Sequence, residues 1–91
     1  MQRSHFVVSI IGNGDLRDLM LVDNLRTAFR LSNELFNIHK KDYSENGYLK
    51  ITHFAFMGEG GVNIFTVNLN EVIEDINREI TKFFGEENNW N

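Results

Sequence analysis

Asn13-Gly14 is the feature that most restricts what this chain can fold into. A type I′ hairpin turn needs positive φ at both central residues, and Asn-Gly supplies it at the lowest steric cost. The dipeptide follows His-Phe-Val-Val-Ser-Ile-Ile over 5–11, a run of strand composition. If 15–22 is the returning strand, Ile11 lies opposite Leu16 and Val7 opposite Met20. Val7, Ile11, Leu16, Met20 and Val22 then share one face of the hairpin.

The alternative is a single helix starting at Asp15, and the helical wheel decides against it. From 25 to 39, Leu25, Ala28, Phe29, Leu31, Leu35, Phe36 and Ile38 fall within about half the circumference at 100° per residue. Arg26, Arg30, Asn33, Glu34 and Asn37 fill the other half. Extended backwards, Leu16 and Leu19 land on the polar side, and Arg17 and Asp18 on the apolar one. The first helix is therefore expected to begin after Asp23 or Asn24, either of which can cap it.

Further along, 40–47 reads as a polar loop, 48–57 as a strand and Gly58-Glu59-Gly60-Gly61 as a turn into a return strand over 62–67. Asn68 is placed to cap a second helix, with Glu71 three residues on. Leu69, Val72, Ile73, Ile76, Ile80, Phe83 and Phe84 form its apolar stripe, and Gly85 suits its end. The expected order is ββαββα, or βαββα if 15–22 is helical. The expected fold is α+β: an antiparallel sheet of about four strands with two amphipathic helices on one face. A single domain spans 1–85 and a polar tail 86–91. Segments 5–36 and 53–84 both begin His-Phe and end in Phe, which raises an internal duplication, although only six of the 32 ungapped positions agree.

Composition removes whole classes of function. The 91 residues contain no Cys and no Pro, which excludes disulfides, thiolate metal sites, thiol nucleophiles and proline-rich ligand motifs. Aromatics at 12% are too frequent for a disordered chain. No apolar run reaches the ~18–20 residues of a membrane span, and the N-terminus lacks a signal-peptide pattern. A cytoplasmic location is expected.

Charge is distributed unevenly. The net charge is −4, and residues 1–70 balance to zero. Residues 71–91 carry six acidic side chains against Arg78 and Lys82. A nucleic-acid binder is normally basic, because phosphate neutralisation supplies most of its affinity, so nucleic acid is not the expected partner. The acidic end instead suggests a docking face for a basic protein, formed by Glu74, Asp75, Glu79, Glu86 and Glu87, with Trp90 as an anchor.

The remaining chemistry is sparse. His5 and His53 are each followed by Phe, but the hydroxyl residue that paired-histidine phosphoesterases carry two positions on is replaced by Val7 and Ala55. No metal-ligand spacing or phosphate-loop motif is present, so no metal or cofactor is expected. The expected function is a non-enzymatic protein-binding module: a small acidic, dimeric adaptor or inhibitor of a larger protein, such as a nucleic-acid-handling one, of phage or bacterial type. The alternative is a small-ligand or nucleotide-binding protein with an interfacial pocket lined by His5, His53, Phe54 and Phe56. A small histidine-dependent hydrolase ranks third.

Overall fold

Asn13 and Gly14 both adopt positive φ, 53° and 84°, and join β1 (His5–Gly12) to β2 (Asp15–Val22) as the sequence predicts. This computed structural model describes residues 5–54, 60–71 and 78. The remaining described elements are α1 (Leu25–Tyr43), β3 (Gly47–Phe54) and β4 (Val62–Asn68). All strand pairings are antiparallel, in the order β2-β1-β3-β4. The fold is α+β, with one helix among the described residues. Most of the expected second helix lies outside them, as does the tail 86–91. Asn68, its expected cap, closes β4, and the Glu71 N–H donates to the Asn68 carbonyl at 3.2 Å.

The helix begins where the wheel placed it. Asn24 is the cap, with its Oδ1 accepting the Thr27 N–H at 2.8 Å. One stripe of α1 faces the sheet: Ala28, Phe29, Ser32, Leu35 and Phe36 are buried. They pack on Val8, Ile10, Leu49, Ile51, Val67 and Leu69. Ser32 returns its hydroxyl to the Ala28 carbonyl at 2.7 Å, so its burial leaves no donor stranded. Ile38 departs from the expected stripe and is 62% exposed, because the sheet covers a narrower arc of the helix than half its circumference.

The helix also runs through part of the expected loop, to Tyr43. Tertiary packing explains the extension. Gly12 and Gly47 are direct cross-strand partners, and Tyr43 lies on both. A Cβ at Gly12 would stand 2.6 Å from the Tyr43 ring, and one at Gly47 2.7 Å from the Tyr43 Cβ. Two glycines make a flat seat for one aromatic ring, and the helix has to continue to reach it. Lys40 and Lys41 in the last turn favour the helix carbonyl end.

The expected register of the first hairpin needs correction. Ile11 does oppose Leu16, but Val7 opposes Leu21 and Val8 opposes Met20. The pairing shifts between Ile10↔Asp18 and Ile11↔Leu16, which leaves Arg17 as the extra residue of a β-bulge. A one-residue insertion moves every later side chain to the other face. Met20 and Val22 therefore share the helix side with Val8 and Phe6, and Leu19 and Leu21 take their places on the open face. The duplication sets 5–36 against 53–84, and most of that second segment lies outside the described residues.

Candidate functional site

The sheet has one face under α1 and one that α1 does not cover. Cross-strand partners share a face, so the register fixes the composition of the uncovered side. On β2 it carries Leu16, Leu19 and Leu21, and on β1 Val7, Ser9 and Ile11. On β3 it carries Tyr48, Lys50, Thr52 and Phe54, and on β4 Asn63, Thr66 and Asn68. The face thus divides lengthwise into an apolar half and a largely polar half. Leu16, Leu19 and Leu21 are 56%, 49% and 62% exposed. Val7 and Ile11 beside them are half-buried.

Behind the leucines, on the helix side, lies a compact polar cluster created by the bulge. Asp18 Oδ2 meets His39 Nε2 at 2.9 Å, with the His39 side chain 17% exposed. Asp18 Oδ1 accepts the backbone N–H of Leu19, also at 2.9 Å. Arg17 Nε donates to the Gly12 carbonyl at 2.9 Å. Its guanidinium carbon sits 5.2 Å from the centroid of the Tyr43 ring, and Tyr43 in turn lies 6.2 Å from His39. Without the extra residue, Asp18 would pair with Ser9 on the open face and could not reach His39. Sequence reasoning missed the cluster for that reason. The only legible sign was that Arg17 and Asp18 interrupt an otherwise apolar strand.

No family model, curated protein or solved structure matches the chain. The site must therefore be judged on its own geometry.

The sequence-derived candidates are dispersed. Glu74, Asp75, Glu79, Glu86, Glu87, Trp90 and Phe56 lie outside the described residues. His5 and Phe54 are cross-strand partners on the open face. His53 pairs with Phe6 on the opposite face and stacks on it, with ring centroids 4.7 Å apart and planes 17° from parallel. The sheet therefore stands between His53 and the other two residues. Among the described residues no three His, Asp or Glu side chains gather as metal ligands.

Depressions at the C-terminal end of α1 are open and mixed in charge. One of about 520 Å³ is lined by Asn37, Lys40, Lys41, Ser44, Leu69, Asn70 and Glu71. It brings together amide, ammonium and carboxylate groups without a nucleophile–base pair. No helix among the described residues is long and apolar enough to cross a membrane.

Proposed function

We propose that this chain is a non-enzymatic protein-binding module that docks through the open face of its β1–β2 hairpin. The observation that carries this reading is the exposure of Leu16, Leu19 and Leu21 side by side on one strand. Contiguous apolar surface of this kind on a small domain marks an interaction site, whereas singly scattered exposed leucines do not. A second copy is the economical partner, since a twofold contact uses the same patch twice.

The size of the patch sets the strength of that contact. Strands about 4.8 Å apart, rising about 3.3 Å per residue, give the apolar half of the face a footprint of only about 10 by 26 Å. A standard stable interface buries about 800 Å² on each partner. Self-association through this half alone is therefore weak and concentration-dependent, and leaves the face available to a larger partner. The acidic segment beyond Asn70 would add electrostatic steering toward a basic surface. An adaptor or inhibitor acting on a nucleic-acid-handling protein in the cytoplasm is the role we propose for that combination.

Sedimentation velocity over a concentration series tests the docking face. Leu19→Lys should weaken self-association at least tenfold, because a charged ammonium would be buried at its centre. Asn37→Lys, on the exposed side of α1, should leave it unchanged. Equal behaviour of the two variants would remove the face from consideration, and a monomer at high micromolar concentration would remove a second copy as its occupant.

A further inference from the structure

The hydrogen-bond phase of the sheet can be read from one contact. The Asn13 N–H donates to the Asn46 carbonyl at 2.7 Å, continuing the β1–β3 ladder past its last pair. In an antiparallel ladder, residues alternate between bonding to one neighbour and to the other. The odd-numbered residues of β1 therefore bond to β3 and the even-numbered ones to β2. Their β2 partners Asp18, Met20 and Val22 turn their backbone groups inward. Leu19 and Leu21 turn theirs outward, along the edge of the sheet that the described strands form.

An edge with outward N–H and C=O groups is a template for another strand, and proteins blunt it with bulges, charges or covering groups. Two such devices meet at Asp18. The bulge at Arg17 ends the regular edge on one side. Asp18 Oδ1 then occupies the outward Leu19 N–H, while Oδ2 is anchored to His39 on α1. Of the two outward donors in the regular part of β2, the Leu21 N–H carries no such cap among the described residues.

We infer that Asp18 is an edge guard: held by His39, it occupies the Leu19 N–H and so prevents β2 from adding the β2 strand of a second copy. The occupant is a second copy because β2 can pair antiparallel with itself about a twofold axis, each copy presenting the same outward groups. The inference concerns the edge of the strand and does not depend on whether its face binds a partner.

The test uses the purified full chain, in which a second copy is the only protein available. Asp18→Ala should raise self-association at least tenfold over wild type in sedimentation velocity. It should also slow amide exchange at Leu19 and Leu21. Asp18→Asn keeps a carbonyl that can accept the Leu19 N–H and should stay near wild type. Adding Leu21→Pro should abolish the gain. Proline there deletes an outward donor without breaking a ladder bond inside the sheet.

Leu16→Lys separates edge from face, since Leu16 lies beyond the bulge. Leu21→Lys loses the same face side chain as Leu21→Pro but keeps the outward N–H. Association of Asp18→Ala that survives Leu16→Lys and Leu21→Lys but not Leu21→Pro supports the guard. Association lost with either lysine variant runs through the face, overturns the guard and leaves the docking face intact. A folded Asp18→Ala that associates no more than wild type overturns it as well. Should Asp18→Ala lose its far-ultraviolet dichroism, Asp18→Val, a better strand former, decides by the same criteria.

Discussion

β2 and β4 are the two edge strands of the same sheet, and each contains one extra residue. In β2 it is Arg17; in β4 the pairing shifts between Ile51↔Phe65 and Thr52↔Asn63, which makes Ile64 the extra one. The outcomes are opposite. On β4 the open face receives Asn63, Thr66 and Asn68, and the Asn63 amide bonds to the Thr66 hydroxyl at 2.7 Å. Apolar side chains go inward, with Val67 buried and Leu69 just past the strand buried as well. On β2 the bulge turns Asp18 toward the helix and puts Leu19 and Leu21 outside beside Leu16. An isolated α+β domain needs only the β4 pattern. The β2 pattern places apolar surface where an isolated domain gains nothing from it, and the proposed docking role rests on that difference.

The largest expected effect separates the two strands by their share of the core. Leu69→Ala should destabilise the protein by about 2–5 kcal/mol in urea unfolding, since the side chain is 1% exposed among close-packed neighbours. Leu19→Ala, measured at a concentration where the chain is monomeric, should cost about 0.5 kcal/mol or less. Similar losses at both positions would mean that Leu19 is as buried in solution as Leu69, and the contrast between the edges would fail.

A smaller effect concerns the polar closure of β4. The Asn63 side chain donates to Thr66 and accepts the Phe65 N–H at 3.3 Å. Removing it with Asn63→Ala should cost about 0.5–1.5 kcal/mol. Self-association should not change if docking runs, as proposed, through the apolar half of the face alone. Weaker association in this variant would extend the interface across the whole sheet.

How much of this was legible beforehand follows from the kind of signal each feature leaves. The hairpin was readable because Asn13-Gly14 has few conformations that suit it. The start of α1 was readable because Asn24 caps a 3.6-residue stripe. Its end was not, because Tyr43 is held by Gly12 and Gly47, two residues distant in sequence that no local pattern connects to it. The open apolar face was anticipated in position but not in membership. Leu16, Val7 and Ile11 are on it, whereas Leu19 and Leu21 replace Met20 and Val22. A bulge adds one residue without changing composition, and strict alternation through Arg17 inverts everything after it. His39 closes the helical window 25–39, and no local pattern names a partner for it. Its partner Asp18 became visible only once the bulge had turned that carboxylate inward.

The smallest expected effect compares two carboxylates on β2 itself. Asp15 and Asp18 lie three residues apart, and both approach a basic side chain. Asp15 Oδ2 is 3.7 Å from an Arg17 nitrogen and its side chain is 77% exposed, whereas Asp18 is 35% exposed and holds two hydrogen bonds at 2.9 Å. Exposed ion pairs of the first kind contribute little, because water screens the attraction and the side chains lose freedom in forming it. Asp15→Asn should therefore move stability by less than about 0.5 kcal/mol and leave association unchanged. His39→Ala acts from the other side of the second pair. It leaves Asp18 in place but frees its Oδ2, so association should rise, though less than in Asp18→Ala. If Asp15→Asn promoted association as strongly as His39→Ala, net charge along the edge would be what keeps copies apart. The specific occupation of the Leu19 N–H would then lose its role.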